Sequence, residues 1–204
     1  MADQVTLRRS PLHHLRDRLE AESVGGARGV TLRELPFLSM VGVRVEPGSP
    51  AFARLGERLG APLPEVCGRV TSSGRRSALW LGPDEWLVVS EPDAGDGGDA
   101  LVAELRDALA GDPGSVIDVS ANRTTLVLSG PAARETLEKS CPADLHPRSF
   151  GPGTAVTTTL GPVPVLLWQT GETSYRVLPR SSFADYTARW LLDATTEFAG
   201  PEVP

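Results

Sequence analysis

The residues of this chain that could do chemistry are few, and their spacing does not bring them together. His13 and His14 are adjacent, so on a helix they would point to different sides and could not easily bind one metal ion. His146 lies in a predicted loop before a proline, and no further ligands stand at a spacing typical of zinc. We therefore expect no metal-binding residues in this chain.

Residues that could act as a nucleophile or as a general acid or base are also few. Cys141 stands before Pro142 with no base nearby, and both it and Cys67 are expected to be buried apolar residues of a reducing compartment. Asp84 and Glu85 are adjacent carboxylates, but in a Gly-Pro-Asp-Glu turn such groups bond local backbone or face water. The chain has no GxGxxG after a strand, no Walker A motif, no GxSxG and no HExxH. We assign no catalytic and no cofactor-binding residue.

Composition narrows the class of protein. The 204 residues carry 20 Lys+Arg and 26 Asp+Glu, and this net charge of −6 argues against nucleic-acid binding because no general basic surface can neutralise phosphates. Forty per cent hydrophobic and 23% charged residues are typical of a soluble globular protein. The first residues lack the apolar core of a signal peptide, and apolar runs such as 165–168 are too short to cross a bilayer. We expect a cytoplasmic protein without membrane contact.

The elements that would have to position any site alternate between strand and helix patterns. The first half predicts a strand, a helix, a hairpin and a second helix over residues 38–45, 50–59, 77–90 and 101–109. Ser49 followed by Pro50 is typical of a helix start, and Gly60 is typical of a helix end.

The second half repeats this order. It predicts a strand, a helix after Gly130, a hairpin and a further strand over residues 124–128, 131–140, 155–168 and 174–178. The last helix is predicted to begin at Ser182, with Asp185 three residues later as a capping box. Its predicted buried face consists of Phe183, Tyr186, Trp190 and Ala194.

The two halves also match in sequence. VRVEPGSPAFARL aligns with VLSGPAARETL, and LWLGPDEWLVV aligns with LLWQTGETSYRVL, at an offset of roughly 83 to 89 residues. This internal repeat predicts an α+β fold built from two similar sheet-plus-helix units. We expect an N-terminal arm over residues 1–30, a first unit over 31–115 and a second over 116–204, the two units packed as one compact body.

The arm and the tryptophans are the candidates for contact with a partner. Leu12, Leu15 and Leu19 stand at helical spacing among arginines, so residues 1–30 are either a solvated tail or an arm that docks on a partner. The four tryptophans are core residues by default, but tryptophan is also a common interface anchor. The candidate partner-interface residues are Leu12, His14, Leu15, Trp80 and Trp86.

Four segments carry a resemblance to a known family: RSPLHHL, ALWLGPDEWLVV, VIDVSANRTTLVLSGPAARETLEKSCPADLHPRSF and YRVLPRSSFADYTARWLLDA. From about residue 8 to 195 the chain resembles the gamma subunit of heterotetrameric sarcosine oxidase. The resemblance implies a non-catalytic accessory subunit of a complex that oxidatively demethylates sarcosine to glycine. That complex passes the one-carbon unit to tetrahydrofolate or releases formaldehyde.

The resemblance also implies partners and cofactors. The partners would be the alpha, beta and delta subunits of sarcosine oxidase, chiefly alpha. FAD, FMN, NAD, tetrahydrofolate and zinc would be held by those other subunits, and no cofactor is expected in this chain.

The family in turn looks like the folate-binding fold of the glycine-cleavage aminomethyltransferase, or T-protein, through Ile117-Asp118-Val119-Ser120 and the turn at Gly130. In the aminomethyltransferase pattern, a hairpin strand after a glycine carries acidic residues, whereas residues 161–166 here read GPVPVL. Valine and proline cannot accept a proton. The alternative is a folate-binding one-carbon transfer module whose pocket uses Arg123 or Arg176, and the missing carboxylate weighs against it.

Overall fold

A computed structural model describes residues 8–91 and 98–200 of the chain. Its helices are α1 to α5, at Arg16–Ala21, Pro50–Leu59, Gly98–Leu109, Ala133–Glu138 and Ala184–Thr195. Its strands are β1 to β10, at Thr31–Glu34, Ser39–Val45, Val70–Ser73, Arg76–Gly82, Glu85–Ser90, Gly114–Asp118, Leu126–Ser129, Thr154–Leu160, Val163–Gly171 and Ser174–Pro179.

Local sequence signals set several of these bounds. The Ser49 hydroxyl accepts a hydrogen bond from the Phe52 amide, Pro50 occupies the first turn, and Gly60 ends α2 in a left-handed conformation at φ 75°. The predicted hairpins are also confirmed, as β4 with β5 and β8 with β9.

The two five-stranded sheets share one plan. Their strand orders are β3-β4-β5-β2-β6 and β8-β9-β10-β7-β1, and each neighbouring pair is antiparallel. In both, the chain runs from a strand through a helix into a three-strand meander and then a second helix. The predicted α+β repeat is therefore confirmed.

The fifth strand of each sheet lies outside the repeated segment of strand, helix, three-strand meander and helix. β6 follows the first unit and completes the first sheet, whereas β1 precedes the first unit and pairs with β7 of the second sheet, with Thr31 opposite Ser129. β1 thus belongs to the second sheet, although the expected first unit began at residue 31 and included it. The expected boundary after residue 115 falls inside β6. The division into units at residues 115 and 116 stays a prediction.

The arm packs on the second unit of its own chain. A 3₁₀ turn at His13–Leu15 leads into α1, and Leu12, Leu15 and Leu19 are buried in the core formed with α4, α5 and the second sheet. Residues 8–21 are therefore part of the folded unit. Residues 1–7 lie outside the described part of the chain.

The last helix differs from its predicted form. A 3₁₀ turn at Ser181–Phe183 precedes α5, and no side chain caps its first turn. Phe183 and Tyr186 are exposed, because the face that packs against the sheet is shifted around the helix. That face consists of Ala184, Thr187, Ala188, Leu191, Leu192, Ala194 and Thr195. The predicted capping box is wrong, and so is the placement of Phe183 and Tyr186 on the buried face, whereas Ala194 is buried and Trp190 packs partly buried against the core, as predicted.

The molecule is arranged as helix, sheet, sheet and helix layers. One face of each sheet packs against its helices, and the other faces meet in a shared core. Alternation along β5 shows this, since Trp86 and Val88 face the helices while Leu87 and Val89 face the second sheet. The shared core consists of Leu38, Met40, Leu79, Leu87, Val89, Ala155, Leu166, Trp168 and Leu178.

A close backbone contact fixes the entry into β1. Gly130 has φ 125°, and a Cβ atom built on it would lie 2.3 Å from the Gly29 carbonyl oxygen. The same oxygen accepts a hydrogen bond from the Ala132 amide at 3.2 Å. Only glycine satisfies both the backbone angle and the approach at this position.

We expect Gly130→Ala to lower the free energy of unfolding by about 1–3 kcal/mol, because the added methyl group pushes the chain that leads into β1 away from the turn. Urea denaturation followed by tryptophan fluorescence measures this. Gly161→Ala is the matched control, because Gly161 has φ 54° with no atom within 4 Å of the built Cβ. Equal losses in the two variants would contradict the close-approach explanation.

Candidate functional site

An exposed polar chain ties the arm to α5. His14 Nε2 lies 2.7 Å from Asp185 Oδ1, and Arg189 Nε donates to the other carboxylate oxygen at 2.8 Å. The hydrogen bond from Arg189, followed by the one from His14, lowers the pKa of Asp185. His14 is thus the arm residue among the candidates that presents polar surface, and it already has a partner in this chain.

The other candidate interface residues are distributed unevenly. Leu12 and Leu15 are buried on the side of the arm that packs against the second unit. Trp86 is fully buried, its ring centroid 5.4 Å from that of Phe52, and its Nε1 donates to the Pro64 carbonyl at 2.8 Å. Trp80 is only partly buried. In this structure, a partner could reach His14 and Trp80 directly, and the partner role of all five residues stays a prediction.

Leu15→Ala should destabilise the protein by about 2–5 kcal/mol, the usual range for truncating a buried leucine. The neighbouring variant His14→Ala removes only an exposed pair, worth less than about 1 kcal/mol. Thermal or urea unfolding of both variants separates a core segment from a surface tail. Similar small effects from the two would contradict the burial of the arm.

A partly buried ion pair connects the two sheets. Arg176 on β10 donates to Glu91, which directly follows β5, at 2.5 Å. The Arg176 guanidinium also lies 4.7 Å from the ring centroid of Trp168 on β9. The Arg176 side chain is only 15% exposed, so its charge is compensated where water is scarce. This arrangement makes Arg176 a structural residue of the inter-sheet core.

Apolar side chains fill the space between the two sheets. The shared core occupies it. β9, the strand that carries the acidic residues in the aminomethyltransferase pattern, buries Val165, Leu166, Leu167 and Trp168. Arg123 lies elsewhere, at a surface cleft beside the arm. Of the two arginines assigned to the alternative folate pocket, neither points to a pocket within this core.

We expect Glu91→Gln to destabilise the protein by about 1–2 kcal/mol, because it leaves the partly buried Arg176 guanidinium without its charged partner, while solvent at Glu91 screens part of the loss. Glu135→Gln is the control, since Glu135 forms an exposed pair with Arg28 and should cost less than about 1 kcal/mol. Urea unfolding at neutral pH gives both values. An E91Q protein as stable as E135Q would show that the pair does not hold the sheets together.

A cleft beside the arm collects positive charge. Its volume is about 180 Å³, and it is lined by Arg8, Arg9, Pro11, Phe37, Ser120, Ala121, Arg123, Thr124 and Ser181. Sequence analysis singled out Arg123 but missed the rest, because four separate chain segments form the cleft. Burial, followed by the nearby charge of Arg180, lowers the pKa of Arg123.

The two cysteines and the loop that contains Asp144 and His146 are the other reactive residues that the sequence singles out. Cys141 is buried as predicted, but Cys67 is exposed, because it lies in the loop before β3. Asp144 accepts hydrogen bonds from the Ser149 hydroxyl and the His146 amide, and both lower the pKa of Asp144. Within residues 8–91 and 98–200, no group of three or more His, Cys, Asp or Glu side chains could hold a metal ion.

The Asp84–Glu85 turn follows the prediction at Asp84, which is exposed, but Glu85 bonds a side chain of the neighbouring strand β2 instead of local backbone. Glu85 accepts a hydrogen bond from Arg44 at 2.6 Å across the edge of the hairpin, and both side chains are exposed. The described helices, α1 to α5, include none that is long and apolar enough to cross a membrane.

Comparison with solved structures defines the class of protein. The aminomethyltransferase T of the glycine cleavage system from Bartonella henselae superposes with a TM-score of 0.66 at 17% identity, covering 91% of this chain and 57% of that chain. This likeness shows the folate-binding fold of the T-protein. A chain of heterotetrameric sarcosine oxidase from Corynebacterium sp. U-96 superposes with a TM-score of 0.90 at 50% identity, covering 97% of this chain and all of that chain.

Sequence comparison identifies the family. The model of the sarcosine oxidase, gamma subunit family matches residues 44–197. The sarcosine oxidase subunit gamma of an Arthrobacter species is 51% identical over 204 residues, which cover all of this chain and 97% of that protein. The gamma subunit of Corynebacterium sp. strain U-96 is 50% identical over the same coverage. The chain belongs to the sarcosine oxidase gamma subunit family.

Proposed function

We propose that this chain is a non-catalytic accessory subunit of a heterotetrameric sarcosine oxidase. Such a complex oxidatively demethylates sarcosine to glycine and transfers the one-carbon unit to tetrahydrofolate or releases formaldehyde. The observation that carries the proposal is the superposition on a chain of the Corynebacterium heterotetramer along its whole length, at 50% identity.

The interior of the chain supports an accessory role. In the aminomethyltransferase pattern a hairpin strand after a glycine carries acidic residues, whereas β9 here has buried valine, leucine and tryptophan. These side chains cannot exchange a proton with a substrate amine. The apolar core between the sheets fixes the two units against each other, which suits a protein that presents surface to other chains.

Partners and cofactors follow from the same proposal. The chain would assemble with the alpha, beta and delta subunits, chiefly alpha, and those subunits would hold FAD, FMN, NAD, tetrahydrofolate and zinc. Phe183 and Tyr186 are exposed one turn apart at the start of α5, and aromatic residues of this kind are enriched in protein interfaces. The free cysteines Cys67 and Cys141 suit a reducing cytoplasm.

Affinity purification of the tagged chain from its native cells tests the proposal. We expect mass spectrometry to identify three further chains, and the sample to show flavin absorbance and sarcosine-dependent oxygen uptake. A colourless protein recovered without partners would contradict it. Direct titration with tetrahydrofolate would then test the alternative, a folate-binding one-carbon transfer module.

The double variant Phe183→Ala/Tyr186→Ala locates the contact within the same experiment. We expect it to recover several-fold less of the partner chains at unchanged thermal stability, because both rings are exposed in the free chain. Val66→Ala is the matched control, since Val66 is also exposed but lies in the first unit. Equal recovery with the double variant and with V66A would exclude this part of α5 from the interface.

A further inference from the structure

The cleft beside the arm is built from segments that are distant in sequence. The chain passes through it at residues 8–11, at Phe37, at residues 120–124 and at Ser181. Backbone contacts hold these segments together: Arg123 and Arg180 form an isolated antiparallel bridge, and the Ser181 amide donates to the Asn122 carbonyl at 2.9 Å. The cleft is therefore a fixed part of the fold.

Positive charge in the cleft has no compensating carboxylate among its lining residues. Arg8, Arg9 and Arg123 line it, and Arg180 adjoins it through the bridge. Arg9 forms no hydrogen bond or ion pair with any described residue, and Arg180 donates to the neutral Asn122 side chain at 2.8 Å. Several cations held close together in a partly buried site repel one another unless an anion joins them.

Two carboxylates that bond lining residues of the cleft are occupied by neutral donors. Glu34 accepts hydrogen bonds from the hydroxyls of Ser10, at 2.5 Å, and Thr124, at 2.7 Å. Asp118 accepts one from the Ser120 hydroxyl at 2.5 Å. Neither carboxylate forms an ion pair with an arginine in the described part of the chain.

Arg123 is held in position for an external ligand. Its Nη1 donates to the Leu178 carbonyl at 2.8 Å, which fixes the plane of a guanidinium that otherwise has only neutral partners. Burial and the charge of Arg180 both lower the pKa of Arg123, as expected of a cation without a nearby anion. A guanidinium presents several N–H groups in one plane, which matches the geometry of a carboxylate or phosphate.

Strained backbone lies at the rim of the same cleft. Phe37 has φ 62° and follows Pro36 in a turn, a position that usually takes glycine. A non-glycine residue in this region costs about 1–3 kcal/mol and tends to occur at functional sites. The Phe37 ring is 37% exposed and lies 4.5 Å from the guanidinium of Arg8, which also lines the cleft.

We propose that this cleft is an oxyanion site, which binds one carboxylate or phosphate group between Arg9, Arg123 and Arg180. Its volume of about 180 Å³ is below the roughly 300 Å³ at which pockets for whole small molecules begin. The site therefore takes one charged group. That group is either a free anion or an acidic side chain of a partner subunit, and the second source rests on the proposed function.

Titration of the purified full-length chain with inorganic phosphate tests the site. Phosphorus NMR line broadening is measured at constant ionic strength, with sodium chloride as the reference salt and acetate as competitor. We expect Arg123→Gln to weaken phosphate binding at least tenfold. Arg9→Gln should weaken it several-fold, and Arg148→Gln, in an exposed loop far along the chain, should leave it unchanged.

Each outcome of this titration either supports or overturns the oxyanion site. Arg9→Gln keeps the test valid if Arg123→Gln fails to fold, because Arg9 is exposed and bonded to no described residue. Equal affinity in the wild type, R123Q and R9Q would overturn the proposal. The proposal would also be overturned if the wild type caused no broadening of the phosphate line, or if acetate reduced that broadening no more than chloride does.

The assembled complex distinguishes the two sources of the anion. If phosphate binds the purified complex as it binds the free chain, the ligand is a free anion. If phosphate binds the free chain alone, and R9Q recovers less of the partner chains than R148Q, an acidic side chain of a partner occupies the cleft. If the purification recovers no partner, the proposed function fails while the phosphate titration still decides the oxyanion site.

Discussion

The antiparallel pairing of β1 with β7 is the interaction on which the second half of the molecule depends. Without β1, the second sheet would lack the strand that β6 supplies to the first, and β7 would be an unpaired edge. The chain that leads into β1 has to pass over the Gly130 turn, and the helix before it covers the adjacent core. The arm is thus inseparable from the unit that lies farthest from it in sequence.

The second constraint is that both sheets are buried on two faces. Helices cover one face of each, and the shared apolar core covers the other, so β5 and β9 have nearly continuous apolar sequences. Arg176 and Glu91 supply a side-chain ion pair across this interface, and backbone hydrogen bonds such as that from the Ala155 amide to the Gly68 carbonyl join the two halves at its edge. The chain shares the T-protein fold at only 17% identity, and function resides in the site and not in the fold.

The sequence predicted what local signals determine and failed where distant segments decide. Ser49, Pro50 and Gly60 bound α2 correctly because caps act within one turn. The partner of β1 could not be read from the chain, since nothing local distinguishes pairing with β7 from pairing with β2. The first turn of the buried face of α5 was misjudged because Ala184, Thr187 and Ala188 pack there, while Phe183 and Tyr186 are exposed. The arginine cleft was missed since its members are brought together only by folding.

The net charge of −6 and the arginine cleft act over different distances. At physiological salt, screening confines the influence of any charge to roughly 8 Å, so a distant anion experiences no attraction from the cleft and meets a surface that is negative on average. An anion placed inside the cleft experiences Arg9, Arg123 and Arg180 at short range. Such a site holds a charged group well but does not draw one in from solution. These conditions favour a carboxylate carried on a surface that docks through other contacts, and the exposed aromatic residues at the start of α5, a few residues beyond Ser181, are suited to provide them.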